Sequence, residues 1–592
     1  MRRRQRAEKE RREEKARREA AAENAPSVET ETVEGESEEE ASTEQLTRKE
    51  ARTFLVPGVL ILVTALCFLL GYFHSRVHTD THHWSIQYSA AADLLQGLEP
   101  YSETLSPYGF FTNCIHALAL VVFGSSLVSL GIVTSLIYSI SFPLMYLVVR
   151  GFLPRVLSLT TVLVLFILHP HILYPWANYT AYSCLLASLA LLRGDHDSAA
   201  FGWRAFLSGM LLSLSFLGRN TYVISLLPSF LTVALLAGWR IPGVFRARIA
   251  RPYLLGLIIP LGAFFLYLSK ESLVSAWLEQ AFFLYNDRWY EGLSVRDTSH
   301  HGIVAALTSR RLDALMSGLF SSGARLQVYS VVFFVCTAMS AHFAYRTFRT
   351  RERKSCFLLL LSLLAFFGFF QSPHAFVVWR LQLSSGLGVG IGIYAIYKLV
   401  GRERAVAAVV MMLVGVGFLL DSGRSRTPQF RFGEFGGVVE RFTSYARGEL
   451  LEPSGIELLS GKLLPVHHVH AYEEISRLVS SYRCRVDSIV TMNKEASWVY
   501  LVPGLSKVQI APYFGGGLSR SFVQRERERI RQALHEERSM LLIKPSRVPR
   551  NYHLIGEVRM PFPSESVFTV VGVAVPKGIT EPCGESSGAA AK

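Results

Sequence analysis

A group of polar residues directly follows the first long apolar segment of the chain. It contains Asp80, His82, His83 and Trp84. A carboxylate just beyond a membrane segment is well placed to take a proton from a hydroxyl group while an activated group is transferred to it. We therefore interpret Asp80 as a candidate general base with His82 and His83 shaping its site. A solvated loop aspartate is the alternative interpretation.

The chain also offers candidate metal ligands. Asp80 and Asp297 occur near two histidine pairs, His82-His83 and His300-His301. Carboxylates and imidazoles together can bind divalent cations. Adjacent side chains point in different directions on regular structure, so one pair is poorly suited to supply two ligands. We expect no metal and no other cofactor, and a divalent cation remains the alternative.

The elements that position these residues are predicted to be membrane helices. Half of the 592 residues are apolar, and they occur in blocks of about 17–25 residues, the length that crosses a hydrocarbon core of ~30 Å. Such blocks should be helical, because backbone groups cannot stay unpaired in lipid. The sequence predicts an α-helical polytopic membrane protein with about 11 transmembrane helices. The blocks begin near Phe54, Ile132, Val156, Ala181, Phe206, Tyr222, Tyr253, Val328, Cys356, Phe376 and Val406.

The net charge of +14 does not indicate nucleic-acid binding. Basic clusters at 240–251, 346–354 and 398–404 lie between apolar blocks, which the positive-inside rule assigns to cytoplasmic loops. The first loop, a second long loop and the C-terminal region then lie on the outer face. No crossing is left for residues 109–123, which we expect to lie in the interface or to re-enter.

Three domains follow from this topology. Residues 1–52 form a charged cytoplasmic tail, largely disordered or helical. Residues 53–421 form the transmembrane domain, with large outer loops at 75–126 and 270–325. Residues 422–592 form an extracytoplasmic α/β domain.

The C-terminal domain alternates helix-like and strand-like segments. Ala471–Tyr482 has helical spacing, and the strands Val486–Thr491 and Ser539–Ile543 flank a charged helix at 519–536. Cys484 and Cys583 lie in this domain and can pair if it is extracytoplasmic.

The first outer loop resembles that of a known superfamily. Asp80-x-His82-His83-Trp84 is followed by Ala91-Ala92-Asp93-Leu94-Leu95-x-Gly97-x-x-Pro100-Tyr101 and Tyr108-Gly109. This pattern is similar to the first periplasmic loop of GT-C glycosyltransferases, and most of all to bacterial members grouped with dolichyl-phosphate-mannose protein mannosyltransferases and lipid A aminoarabinose transferases. The resemblance extends by organisation over residues 53–420 and is specific in the first loop.

The resemblance implies a GT-C fold, a polyprenyl-phosphate sugar donor and a site just outside the membrane. It also implies that Asp80 is catalytic and that Tyr101 helps to shape the site. The family often has another acid in its second outer loop. This chain has Trp176-Ala177-Asn178-Tyr179 there instead, a departure that argues against a two-acid mechanism.

A phosphate-bearing donor requires cations or backbone amides. Arg219 lies at the end of an apolar block, where a charge is costly and usually functional. Arg288 and Arg380 are further candidates. Arg288 can instead pair with Asp287, and Arg380 can instead extend to the membrane surface.

The sequence thus predicts a glycosyltransferase that moves a sugar from a polyprenyl phosphate to a glycan, lipid or protein acceptor. We expect membrane lipid as a partner, no nucleic acid, and a bacterial inner membrane location with a periplasmic active site. The alternatives are a transporter or flippase for a lipid-linked intermediate, a glycan polymerase or ligase, and a non-enzymatic scaffold.

Overall fold

The structure is a computed structural model. It divides into two compact units, residues 1–59 and 60–592, and the first is helical over residues 35–59. The described residues are 35–77, 81–104, 106, 108–168, 174–193, 201–229, 250–282, 324–350, 352–370, 378–401, 404, 406, 435–491, 500–502, 505–509, 520–561 and 568–583.

The described residues up to 400 lie mostly in helices. These helices are α1 (Gly35–Val77), α2 (Thr81–Leu95), α3 (Phe110–Phe123), α4 (Leu127–Val149), α5 (Arg155–Leu168), α6 (Ala177–Leu192), α7 (Phe201–Gly218), α8 (Arg251–Lys270), α9 (Val274–Phe282), α10 (Ala324–Thr350), α11 (Arg353–Gly368), α12 (Val378–Ser385) and α13 (Leu387–Val400).

Within the described residues, four helices are long and apolar enough to cross a membrane. They are the Val56–Val77 part of α1, α4, α8 and the Gln327–Thr350 part of α10. Another apolar helix, α3, is only 14 residues long, which corresponds to about 21 Å and falls short of the hydrocarbon thickness. The number of about 11 spans therefore stays a prediction, and the last predicted span lies almost entirely outside the described residues.

Small residues let the apolar helices approach closely. α7 packs between α6 and α8. A β-carbon on Gly209 would lie 2.1 Å from the Tyr253 carbonyl oxygen, and one on Gly256 would lie 2.0 Å from that of Phe206. Such contacts favour helix association in lipid, where burial of apolar surface gives little driving force.

The C-terminal region contains a mixed sheet with helices. Strand β3 (Ser488–Thr491) pairs parallel with β4 (Ser506–Gln509) and with β5 (Ser539–Ile543). Strand β7 (Phe568–Pro576) pairs antiparallel with β5 and with β6 (Tyr552–Pro561), which gives the order β4-β3-β5-β7-β6. A short antiparallel pair, β1 with β2, precedes the sheet. The elements are α14 (Phe435–Ala446), β1 (Leu450–Leu451), β2 (Leu464–Pro465), α15 (Val466–Ser481), β3 (Ser488–Thr491), β4 (Ser506–Gln509), α16 (Arg520–His535), β5 (Ser539–Ile543), β6 (Tyr552–Pro561) and β7 (Phe568–Pro576).

The elements predicted for this region are present with shifted ends. The helix predicted at Ala471–Tyr482 spans Val466–Ser481, and the strand predicted at Val486–Thr491 spans Ser488–Thr491. The strand Ser539–Ile543 has the predicted bounds, and the charged helix runs over Arg520–His535. Ile530 of α16 packs with Leu541 on one side of the sheet. Cys484 and Cys583 form a disulfide bond.

Candidate functional site

Several predicted site residues lie in parts of the chain that the structure does not describe. Asp80 and Arg288 lie outside the described residues, as do Asp297 and the His300-His301 pair. His82 and His83 lie in the first turn of α2, and Arg380 lies in α12, but only the helical backbone is described at these positions. Their roles stay predictions.

Arg219 lies in a turn where the first two predicted outer loops meet. Its guanidinium carbon is 4.7 Å from the ring centre of Tyr108 and 5.8 Å from that of Trp176. Tyr108 belongs to the predicted first outer loop, and Trp176 precedes α6 in the second. Arg219 is only 9% exposed. The two ring centres lie 5.2 Å apart, so both rings contact the guanidinium from one side. A planar guanidinium held against aromatic rings is a group that suits the recognition of phosphate.

A close glycine contact brings these residues together. A β-carbon on Gly109 would lie 2.1 Å from the carbonyl carbon and oxygen of Gly218. The Thr112 hydroxyl donates to the same Gly218 oxygen at 2.8 Å. Gly109 and Gly218 are the direct neighbours of Tyr108 and Arg219, so this contact sets the stacking of the two side chains.

Buried hydrogen bonds attach α12, which carries Arg380, to the Arg219 turn and to α4 and α5. The Tyr222 hydroxyl donates to the Leu383 carbonyl oxygen. The Gln382 amide donates to the Tyr138 hydroxyl at 2.9 Å and to the Leu165 carbonyl oxygen at 3.0 Å. The elements of two predicted phosphate-binding arginines are therefore fixed against each other.

Tyr101 is an anchor of the first loop. It has a φ of 71° and is fully buried. The Gln280 amide of α9 donates to the Tyr101 carbonyl oxygen at 2.7 Å and accepts from the Ser106 backbone amide at 2.9 Å. The Tyr101 ring packs in an apolar cluster with Phe216 of α7. A positive φ is costly for a side-chain-bearing residue and persists where surrounding contacts hold it, as Gln280 does here.

Solved structures share this architecture at low sequence identity. The ArnT from Cupriavidus metallidurans, crystallised with undecaprenyl phosphate, aligns with a TM-score of 0.52 at 11% identity, covering 87% of this chain and 98% of that one. The chain has the GT-C fold. The apo form of the same ArnT aligns with a TM-score of 0.49 at 13% identity, covering 88% and 98%. The oligosaccharyltransferase AglB from Archaeoglobus fulgidus, with an inhibitory peptide and a dolichol-phosphate, aligns at 0.45 and 11% identity, covering 84% and 70%. No protein-family model and no curated protein matches the sequence.

In this GT-C fold, the C-terminal domain contacts the first loop directly. The Tyr500 hydroxyl donates to the Asp93 carboxylate of α2, and the Tyr500 ring centre lies 5.2 Å from that of Tyr88. Arg529 of α16 donates to the Glu103 carbonyl oxygen at 3.1 Å. Burial, with the nearby Asp93 charge, raises the pKa of Tyr500 well above its usual value, so Tyr500 remains a neutral donor.

Two residues that contact the first loop were not predicted from the sequence. They are Tyr500 and Lys462, and the Lys462 ammonium donates to the Ser75 carbonyl oxygen. Both residues lie far from the first loop along the chain. The one sequence signal for Lys462 is a lone lysine within the apolar stretch Leu458–Val466. A lysine in such a setting is seldom buried unless it has partners.

The described part of the chain contains no group of three or more histidine, cysteine, aspartate or glutamate side chains that could hold a metal ion. The residues of the predicted alternative metal site are not among those whose side chains are described. A metal role for them stays untested.

Proposed function

We propose that this chain transfers a sugar from a polyprenyl-phosphate donor to a glycan, lipid or protein acceptor on the outer face of the membrane. The main support is the contact of the Arg219 guanidinium with the paired rings of Tyr108 and Trp176, where the first two predicted outer loops meet. It occurs in a fold shared with an ArnT that was crystallised with undecaprenyl phosphate. A fixed guanidinium beside the loop that carries Asp80 suits a reaction that releases a phosphate.

The proposed reaction is a single displacement. The acceptor hydroxyl oxygen forms a bond to the anomeric carbon of the sugar while the bond from that carbon to the phosphate oxygen breaks. The electron pair of the broken bond leaves on the polyprenyl phosphate, and the acceptor proton passes to Asp80. Arg219 stabilises the departing phosphate, and Arg288 and Arg380 are proposed to assist it.

The disulfide between Cys484 and Cys583 supports the proposed location of the reaction. Disulfides persist outside the cytoplasm, so this pair favours an extracytoplasmic C-terminal domain. Because that domain contacts the first loop, the loop would lie on the same side. A bacterial inner membrane with a periplasmic site is the location that we propose.

The transferase proposal is tested with the full chain in lipid nanodiscs. The donor is a radiolabelled polyprenyl-phosphate sugar, and sugar transfer and lipid binding are both measured. We expect Asp80→Asn to lower transfer by roughly 100-fold or more, because proton removal by a positioned base contributes that much, with donor binding retained. Arg219→Lys should weaken both transfer and donor binding.

The exposed Asp487, which pairs with Arg538, provides the matched control. Asp487→Asn should transfer at the wild-type rate. A transporter or flippase would move the lipid across vesicle membranes and be insensitive to Asp80→Asn, and a polymerase would extend its own product. Wild-type protein that binds donor but transfers no sugar to any envelope fraction would contradict the proposal.

A further inference from the structure

A short segment of the C-terminal domain, Gly461–Leu463, lies beside the end of α1. The Leu463 backbone amide donates to the Arg76 carbonyl oxygen at 2.8 Å. In return, the Arg76 side-chain Nε donates to the Gly461 carbonyl oxygen at 2.9 Å. These reciprocal bonds fix the segment to the last turn of α1, immediately before the first outer loop.

The side chain of Lys462, between those two contacts, reaches both ends of the connection between α1 and α2. Its Nζ donates to the Ser75 carbonyl oxygen at 2.7 Å and lies 4.2 Å from the ring centre of Trp84. Ser75 is in the last turn of α1, and Trp84 is in the first turn of α2. One ammonium group therefore joins two helix ends, and the residues between those ends include Asp80.

Lys462 and Trp84 are both fully buried. Removing an ammonium group from water is costly, and a well-packed apolar side chain would stabilise the same contact with less cost. A carbonyl acceptor and an aromatic face are the partners that make such burial tolerable. The buried Lys462 ammonium is therefore suited to holding Ser75 and Trp84 in one relative geometry.

The backbone next to Lys462 is also fixed, through Gly461. Gly461 has a φ of 76°, which glycine adopts without strain. Its backbone amide donates to the Glu452 carboxylate at 2.5 Å, and its α-carbon faces Val128 of α4. The position of Lys462 is thus fixed by the β1–β2 hairpin and by a membrane helix together.

We propose that Lys462 is a positioning residue for the transfer reaction. It holds the end of α1 at a fixed distance from the start of α2 and so places the connection that carries Asp80. The C-terminal domain is then part of the catalytic machinery and more than a binding appendage. This inference rests on the proposed transferase function, since it assigns Lys462 a role in that reaction.

The test compares Lys462→Met with Lys577→Met in the full chain in nanodiscs. Methionine keeps the length of lysine and removes the charge, and Lys577 is exposed in the same domain. For Lys462→Met we expect kcat to fall about 100-fold, the effect of displacing a catalytic group by about 1 Å, with the donor KM changed by less than about threefold. Lys462→Arg, which keeps the cation, should have a higher kcat than Lys462→Met.

Amide hydrogen exchange gives a readout that does not depend on activity. Peptides covering residues 72–88 should exchange faster in Lys462→Met than in Lys577→Met, while peptides of β5 and β7 stay protected. Equal exchange and equal kcat in the two variants would overturn the inference even if the wild type is an active transferase. Wild-type protein without transferase activity would instead refute the proposed function on which the inference depends.

Discussion

Arg219 and Lys462 are both buried cations over aromatic rings, yet their surroundings suit them to different tasks. Lys462 directs its ammonium at the Ser75 carbonyl oxygen and is engaged within the protein. The Arg219 guanidinium lies 4.7 Å and 5.8 Å from the ring centres of Tyr108 and Trp176, and its planar group suits phosphate better than an ammonium does. The roles that we propose differ accordingly: Arg219 binds the donor phosphate, and Lys462 positions the loop.

Because His468 is buried, we predict that the folded protein loses stability in acid. Burial, with the nearby charges of His467 and Arg441, lowers the pKa of His468 from 6.5 to about 3. The unfolded chain binds a proton near pH 6.5 that the folded chain does not bind until about pH 3. The free energy of unfolding should therefore fall as pH drops from 6.5 toward 3, by up to about 1.4 kcal/mol per pH unit for one proton.

The measurement is the thermal unfolding midpoint of the full chain at pH 7 and pH 5. His468→Gln should lose less stability between these values than the wild type, because glutamine does not titrate. His535 is exposed at the end of α16 and serves as the control. The prediction is wrong if His468→Gln and His535→Gln show the same drop as the wild type.

At the scale of elements, the crossing of α7 and α8 depends on the absence of side chains. Gly256→Ala places a methyl group 2.0 Å from the Phe206 carbonyl oxygen, so the two helices must separate. We expect a destabilisation of about 1–3 kcal/mol, typical of overpacking, measured as a lower unfolding midpoint in detergent. Gly262→Ala in the same helix meets nothing within 4 Å and should leave the midpoint unchanged or higher.

The type of most elements was predictable because local patterns determine it. The apolar blocks predicted helices, and the charged segment before Ser539–Ile543 predicted α16 to within one residue at each end. Helix length was harder to predict. Hydropathy suggested a block long enough to span the membrane near Ala181, but α6 is 16 residues long, because composition alone does not place helix ends.

The contacts around the site were predictable only where they lie close in sequence. Tyr108 beside Gly109 belongs to a recognisable loop pattern. Its stacking on Arg219 depends on the Gly109–Gly218 contact, which no local pattern encodes. The Tyr500–Asp93 and Lys462–Trp84 pairs join residues from opposite parts of the chain. Pairings of this kind follow from tertiary packing and not from spacing.

At the scale of the whole molecule, the disulfide closes the C-terminal domain. Cys484 follows α15, and Cys583 follows the last strand, 99 residues later. In the chain-entropy account, a disulfide that closes a loop of this size raises the free energy of unfolding by ~4–5 kcal/mol, and typical measured values are ~2–4 kcal/mol. The Cys484→Ser/Cys583→Ser double variant should therefore unfold at a lower temperature than the wild type.

Reductant provides the internal comparison for this prediction. Dithiothreitol should lower the unfolding midpoint of the wild type and have no effect on the double variant. Cys114→Ser, which removes a half-buried free cysteine and leaves the disulfide intact, should remain sensitive to dithiothreitol. A wild-type midpoint that is indifferent to reductant would show that the bond does not form in the native protein.

The Lys462–Ser75 contact joins residues 387 positions apart, and this separation imposes an order on biosynthesis. The loop after α1 emerges from the ribosome early, but its final packing must wait until the C-terminal domain has been made and folded. During that interval Trp84 lacks the lysine that covers its ring. In nascent chains and in chains truncated before residue 462, the start of α2 around Trp84 should therefore stay incompletely packed.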